Sequence, residues 1–339
     1  MGLGFGLLSA QLRPGESKDW EQTYDETLRI AEYAENRGFS SVWTTEHHFV
    51  DDGYMPSLLV TSAAIAARTT KIEIGTGVIL APLHDPIRLA EDAATVQLIS
   101  KGRLTLGLGL GWSPVELGAF GPGKRYRGRA TQEILQILPK AWSGDPIDHS
   151  GEVYQLPRVG VRPIPSTPIP IVVGGGAEAA VRRAARYAGG FFSNASAENL
   201  IQQVRWANDE MESIGRDPRT FRWIHYSIMY PAADFRRGWD EAGQHIWHLT
   251  WKYEDMVASA TRLGSIPAAP LLTQGRRDDM KSRTVFVGPS DWIVEQLNDI
   301  REQAGVPIEF VARSYLHTLH FGAQTQLMDK IATEVMPHV

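Results

Sequence analysis

The sequence predicts an α/β protein built as a single (β/α)8 TIM barrel over residues 1–339, with insertions in the loops that follow its strands. Short apolar runs alternate with longer helical patterns, which is typical of βα units around a parallel sheet. Eight such runs occur with no sign of a division into two units, and one barrel of this length is ordinary. A doubly wound open sheet with an extra domain is the alternative fold.

The first half contains four of the predicted strands, each followed by a helical pattern. Gly38 is expected at the C-cap of the first helix and Pro86 at the start of the third, where these residue types are preferred. The strands are predicted at about 3–8, 41–45, 71–80 and 103–111, and the helices at about 20–37, 56–68, 86–100 and 130–142.

The second half continues the alternation around two irregular segments. Residues 144–170 are rich in proline and are predicted as loop or short extended pieces. Residues 263–284 are predicted as a polar loop, either a mobile lid over the barrel mouth or a disordered segment without a role. Tyr253, in the helix before it, is expected in the core. The strands are predicted at about 170–176, 189–194, 221–231 and 308–315, and the helices at about 177–188, 197–214, 239–263, 290–304 and up to Val335.

Composition excludes several classes of function. The net charge is -5 and no long basic run occurs, which argues against binding to nucleic acid. The absence of cysteine excludes disulfides, thiolate metal sites, Fe–S clusters and cysteine nucleophiles. The start MGLGFGLLSAQ is interpreted as a buried strand and not as a leader, and no apolar stretch reaches the ~20 residues that span a membrane. A cytoplasmic location is therefore expected.

Glu46, His47 and His48 stand together where the second strand ends, the position at which barrels place active residues. Side chains alternate along a strand, so Glu46 and His48 should point one way and His47 the other. This disfavours a shared metal ion, and no metal site is predicted. A hydrogen-bonded turn is one interpretation. The favoured one is a proton-transferring histidine tuned by a carboxylate.

Glycines mark three further strand ends. GTGVI (75–79) hints at close approach of a ligand or at a strained peptide. GLGLGW (107–112) is compatible with close approach of a planar ligand or backbone, and equally with a sterically crowded exit from the strand into a loop. GGGAEAAVRRAA (174–185) leaves a strand and opens a helix, so its free amides predict a monophosphate site, with a plain helix cap as the alternative. Arg127 and Arg129 oppose the dipole at a helix start, which suggests an anion nearby or a solvated face.

Several segments together resemble the bacterial luciferase-like flavin-dependent monooxygenase family. The matching blocks occur in the expected order from the N-terminus to about residue 335 and match least over 225–283. They are GFSSVWTTEHHF, TGVILAPLHDPIRLAEDAATVQLISKGRLTLGLGLGW, RYRGRATQE, PIPIVVGGGAEAAVRRAARYAGG and TVFVGPSDWIVEQL.

The resemblance implies a (β/α)8 barrel that uses O2 and reduced FMN (FMNH2), the latter supplied by a separate NAD(P)H:flavin reductase. Oxygen then adds at flavin C4a to give a peroxyflavin that oxygenates the substrate. The resemblance also implies a homodimer. The expected substrate is a modest-sized, fairly apolar organic compound, such as an aldehyde or a ketone. An F420-dependent oxidoreductase and a non-catalytic flavin-binding barrel are the alternatives, and the EHH motif favours FMN.

The resemblance also implies roles for individual residues. His47 matches the catalytic histidine, with Glu46 and His48 orienting it. Gly77 and Val78 match a cis peptide beneath the isoalloxazine ring, and Gly109 lines the ring face. The implied phosphate site consists of Gly174, Gly175, Gly176 and Ala177, with Arg127 as the charge partner. Leu110 stands where many members have arginine, which predicts weak retention of FMN.

Overall fold

A computed structural model describes residues 2–16, 19–121, 123–281 and 284–339. Short strands alternate with helices along the described chain, as the hydrophobic pattern predicts. The strands are β1 Gly4–Leu8, β2 Ser41–Thr44, β3 Glu73–Thr76, β4 Ile79–Leu80, β5 Leu104–Gly109, β6 Ile147–Ser150, β7 Gln155–Val159, β8 Ile171–Gly174, β9 Gly190–Ser193, β10 Arg222–Pro231, β11 Val285–Gly288 and β12 Ile308–Arg313.

Most helices begin and end at residues that the sequence marks. Asp19 and Asp85 cap α1 and α3 by accepting backbone N–H bonds, and Pro86 opens α3. The helices are α1 Trp20–Asn36, α2 Leu58–Arg68, α3 Pro86–Ser100, α4 Pro114–Ala119, α5 Arg127–Ala141, α6 Glu178–Tyr187, α7 Ala197–Ser213, α8 Phe235–Ser259, α9 Gln274–Lys281, α10 Ser290–Ala304 and α11 Phe321–Lys330.

Eight parallel strands close into a barrel in the order β1, β2, β3, β5, β8, β9, β10, β12 and back to β1. Closure is visible in the register, where Gly4 of β1 lies opposite Val311 of β12 and Phe5 lies opposite Val42 of β2. The predicted barrel and all eight of its predicted strands are confirmed. An open, doubly wound sheet is excluded because no barrel strand has a free edge.

The proline-rich segment carries a two-stranded antiparallel ribbon of β6 and β7, which confirms the predicted short extended pieces. The insertions differ from the prediction in two other places. The segment before α10 forms an additional strand, β11, on β10. Part of the predicted 263–284 loop is the helix α9, and Ser282 and Arg283 lie outside the described residues. A lid role for this segment stays a prediction.

The barrel interior is filled below its mouth by large side chains. Trp43 stacks on Phe192 at 4.7 Å between ring centroids, and Phe192 stacks on Tyr226 at 4.6 Å. A Cβ on Gly75 would lie 2.3 Å from the Trp43 ring, so this glycine makes room for the indole. Gly75 therefore serves packing, and the hint of ligand approach stays a prediction for the rest of the GTGVI stretch. No helix among the described residues is long and apolar enough to cross a membrane.

Candidate active site

A cavity of about 380 Å³ opens at the C-terminal ends of the barrel strands. Ten of the eleven residues predicted for the site line it, and His48 is the exception. The lining includes Glu46, His47, Gly77, Val78, Gly109, Arg127, Gly174, Gly175, Gly176 and Ala177, together with Leu110, Trp112, Tyr226, Tyr253 and Arg313. The topology thus brings the strand ends together as the barrel prediction requires.

His47 is held by a carboxylate that the sequence analysis did not identify. Its Nδ1 lies 2.9 Å from Glu116 Oε1, and the same oxygen accepts the backbone N–H of His48 at 2.8 Å. Both His47 and Glu116 are buried, and the Tyr54 and Tyr253 rings stand edge-on to the imidazole. The hydrogen bond to Glu116 assigns the proton to Nδ1 and leaves Nε2 to exchange a proton with a bound molecule.

Glu46 lines the cavity and forms a second hydrogen-bonded cluster with His48, which does not line it. Glu46 Oε1 lies 2.9 Å from His48 Nε2 and 3.3 Å from His84 Nε2, and Glu46 Oε2 accepts the Leu80 N–H at 3.2 Å. Burial alone would raise the pKa of Glu46, but the hydrogen bonds and charges of both histidines outweigh it and lower that pKa. The strand β2 ends at Thr44, before these residues, so alternation along a strand does not govern them, and Glu46 lines the cavity beside His47. Orientation of His47 by Glu46 and His48 side chains is wrong, because both side chains bond each other instead.

The cavity floor is formed by the Gly77–Val78 peptide, which is cis as the resemblance implies. The Val78 side chain packs between two glycines of neighbouring strands. A Cβ on Gly109 would lie 2.5 Å from Val78 Cγ2, and one on Gly174 would lie 2.8 Å from Val78 Cγ1. Because Gly109 and Gly174 have no side chain, the Val78 side chain fits between them. The two glycines therefore determine the shape of the cavity floor through the position of Val78.

One end of the cavity is suited to an anion. Ala177 caps α6 without a side-chain hydrogen bond, so the first amides of this helix have no side-chain acceptor. Gly175, Gly176 and Ala177 are exposed there. Arg127 lines the same cavity and donates to the Gly111 carbonyl at 2.6 Å. No carboxylate of the described residues pairs with its guanidinium.

The two arginines of α6 have different surroundings. Arg182 is engaged on the surface, with Glu178 at 2.7 Å and Glu210 at 3.6 Å. Arg183 is partly buried, and its Nε and Nη1 have no hydrogen-bond partner among the described residues. A Cβ on Gly128 would lie 3.3 Å from its Nη2, so this cation stands beside the start of α5. Burial lowers its pKa. The unpaired charge adds positive potential near the α6 end.

A second and wider cavity of about 730 Å³ adjoins the first. The two share Trp112, Tyr226, Tyr253 and Arg313 as a common wall. The remainder of the wide cavity is lined by α7, α8, α9 and the ends of β10 and β11, including Asn194, Ser196, Asn199, Thr250, Met280 and Thr284. A second molecule could bind in this wide cavity, next to His47 and the Gly77–Val78 floor of the smaller cavity.

The sequence analysis does not identify two residues of the site, Glu116 and Arg313, and it places a third, Tyr253, in the core. Glu116 follows Ser113 in an S-x-x-E pattern, and Ser113 caps α4, but the glutamate turns to His47. Tyr253 was expected in the core, whereas it lines both cavities. Arg313 ends a barrel strand, and that position was the signal that could have identified it.

Comparisons with known proteins agree with this geometry. The family model described as luciferase-like monooxygenase matches residues 4–307. The oxygenase component of a flavin-dependent trigonelline monooxygenase from Acinetobacter baylyi is 31% identical over 163 residues, 48% of this chain and 45% of the relative. An F420-dependent glucose-6-phosphate dehydrogenase from Kineococcus radiotolerans is 29% identical over 228 residues, 63% of each chain. Both matches cover less than two thirds of the relative's length.

The solved structure of the monooxygenase RslO1 from Streptomyces bottropensis superimposes with a TM-score of 0.84. The comparison covers 100% of this chain and 99% of that chain at 23% sequence identity. At this identity the likeness establishes the fold, which is the closed barrel described above.

Proposed function

This chain belongs to the luciferase-like monooxygenase family, and from that premise we propose that it is the oxygenase of a two-component system. It would use O2 and reduced FMN, delivered by a separate NAD(P)H:flavin reductase, to oxygenate a small organic substrate. The observation that carries the proposal is the buried His47–Glu116 hydrogen bond, because His47 lines a cavity whose α6 end offers backbone amides and Arg127 to an anion.

The residues of the smaller cavity fit a flavin mononucleotide. Its α6 end offers unoccupied helix amides and Arg127, which suit a phosphate monoester. At its floor the Val78 side chain packs between Gly109 and Gly174, and this small apolar surface suits a planar ring. When bound, reduced flavin supplies the electrons with which O2 is activated.

The chain's own groups then position the reactants and manage protons. His47 can give or accept a proton at Nε2, because Glu116 occupies Nδ1 and stabilises the protonated ring. Trp112, Tyr226 and Tyr253 line both cavities, so their rings would contact the molecules bound in each. The wide cavity would hold the substrate beside the ring.

Weak flavin retention suits a flavin that arrives and leaves by diffusion. Leu110 contributes no charge to the cavity that it lines. Titration of the protein with FMN and with FMNH2 tests this point, and we expect the reduced form to bind more tightly. Submicromolar affinity for oxidised FMN would contradict it.

The proposed activity is tested by oxygen uptake with FMN, NADH, a flavin reductase and a panel of candidate substrates. We expect substrate-dependent uptake and an oxygenated product only when the reductase is present. A non-catalytic flavin-binding barrel would bind FMN and give no product with any member of the panel.

The alternative is an F420-dependent oxidoreductase, which the F420-dependent relative at 29% identity favours. It would need no oxygen. Anaerobic turnover with F420 and an alcohol or sugar phosphate would establish this alternative and exclude the monooxygenase.

A further inference from the structure

Arg313, the last residue of β12, lines both cavities. Its Nη2 donates to the Tyr253 hydroxyl at 2.9 Å. Its Cζ lies 5.4 Å from the Tyr253 ring centroid and 5.8 Å from that of Tyr226, so two aromatic rings hold the guanidinium in place. Across the described parts of the chain, no carboxylate lies within ion-pair distance of it.

Two other buried or partly buried cations of the described residues, Lys252 and Arg103, are satisfied internally, whereas Arg183 of α6 is unpaired like Arg313. Lys252 lies 3.2 Å from Asp255 and 3.4 Å from Asp52. Arg103 donates to several backbone carbonyls of the α2 end, including that of Ile72 at 2.9 Å. A guanidinium has five donors, and Arg313 uses one of them on a tyrosine. The rest are left for a molecule in the cavity.

No nearby group of the wall balances this charge. Burial raises the pKa of Tyr226 to about 12, so its phenol stays protonated at neutral pH. Glu254 lines the wide cavity, but it is exposed and pairs with Arg276 at 3.1 Å. The cavity therefore presents a net positive charge at Arg313.

We propose that Arg313 binds an anionic oxygen of the substrate, and that the substrate is a carboxylate or another acid ionised at neutral pH. The planar fork of arginine fits a carboxylate through two parallel hydrogen bonds. Asn194, Asn199 and Thr250 add neutral donors and acceptors along the same cavity. This inference rests on the proposed function, because it assigns the wide cavity to the substrate. It replaces the expected apolar aldehyde or ketone by an anion.

The test compares two probes of the same shape, 2-naphthoate and 2-naphthamide, which differ in charge at neutral pH. Binding to the full chain is followed by fluorescence or calorimetry, with and without FMN. We expect the carboxylate to bind at least about tenfold more tightly than the amide, the ratio that a charge-assisted hydrogen bond supports. Equal affinities, or no detectable binding of the carboxylate, would overturn the proposal.

Two variants test whether Arg313 causes the preference for the carboxylate over the amide. Arg313→Gln should abolish it, and Arg313→Lys, which keeps the charge, should retain part of it. Arg219→Gln is the control, because this exposed arginine pairs with Asp217 and neither residue lines either cavity. A preference that survives in Arg313→Gln contradicts the assignment, and circular dichroism confirms that the variants fold.

The flavin is the competing partner for Arg313, so FMN affinity is measured on the same variants. Loss of FMN binding with an unchanged naphthoate preference would assign Arg313 to the flavin and overturn the proposal. Probe binding requires neither oxygen nor a reductase. A failed probe test therefore leaves the monooxygenase proposal standing, and absent turnover leaves the probe result unchanged.

Discussion

Two arginines inside the same barrel have opposite surroundings. Arg222, at the N-terminal end of β10, bonds Glu73 at 2.8 Å, Thr105 at 3.1 Å and also Glu309. β3 and β10 are not neighbours, so this network crosses the barrel and ties its strands together. Arg313, at the C-terminal end of β12, has the Tyr253 hydroxyl as its one hydrogen-bond partner among the described residues. The arginine charge is thus neutralised at the N-terminal end of the barrel and left unpaired at the C-terminal end, where barrels of this fold place their active sites.

The largest expected effect is at the mouth. His47→Ala should lower turnover ~10²–10³-fold, because general acid–base groups contribute on this scale. Oxygen uptake on the substrate found in the panel measures it, and FMN affinity and the free energy of unfolding should change little. His48→Ala is the control, since His48 bonds Glu46 away from the cavity. Turnover near the original rate in His47→Ala would remove the catalytic role.

We expect acid to lower the free energy of unfolding through two buried histidines, His248 of α8 and His317. Burial, helped by Lys252 and other nearby cations, lowers the pKa of His248 from 6.5 to about 4, and that of buried His317 is lowered too. Between about pH 4 and pH 6.5, the folded state therefore binds fewer protons at His248 than the unfolded chain does. Its stability is complete above about pH 6.5 and falls as the pH drops, by up to about 3 kcal/mol for His248 near pH 4.

Urea unfolding between pH 4 and pH 7 measures this slope. His248→Gln should flatten it, whereas His320→Gln, at a side chain that is 79% exposed, should leave it unchanged. An identical slope in His248→Gln would assign the acid sensitivity to other groups.

At the opposite end, Arg222→Met should lower the free energy of unfolding by about 2–3 kcal/mol, because it leaves two partly buried carboxylates without their cation. Flavin affinity should not change. The control is Arg219→Gln, which removes an exposed pair with Asp217 and should cost under about 1 kcal/mol. Loss of flavin binding in Arg222→Met without a stability change would break the division between the two ends.

A smaller effect is expected at Glu116. Glu116→Gln keeps the size of the side chain and removes the charge beside His47, which should lower kcat by ~10-fold with little change in KM. Steady-state kinetics separate the two constants. An effect confined to KM would indicate that Glu116 shapes binding only.

The smallest expected effect concerns the cavity floor. Gly109→Ala places a Cβ 2.5 Å from Val78 Cγ2 and should displace that valine, at a cost of about 1 kcal/mol and a measurable loss of FMN affinity. Gly176→Ala is the matched control, because a Cβ there meets nothing within 4 Å. Equal effects of the two substitutions would contradict the packing role of Gly109.

Much of the site could be predicted because the barrel fixes where strands end. His47, Val78 and the Gly174–Ala177 turn each follow a strand, and closure of the sheet brings them to one mouth. The partner of His47 could not be predicted. Glu116 is 69 residues away along the chain, in a short helix whose S-x-x-E pattern indicates a cap.

The sequence by itself determined the eight-stranded barrel, the place of His47 just after a strand, and the glycine-rich turn before α6. These follow from local rules: hydrophobic period and backbone freedom at turns. Only the tertiary structure decided that Glu116 bonds His47, that Val78 packs between Gly109 and Gly174, and that Arg313 has no carboxylate partner among the described residues. These three features depend on which strands and helices, distant along the chain, become neighbours in the fold. Local sequence patterns do not specify such contacts.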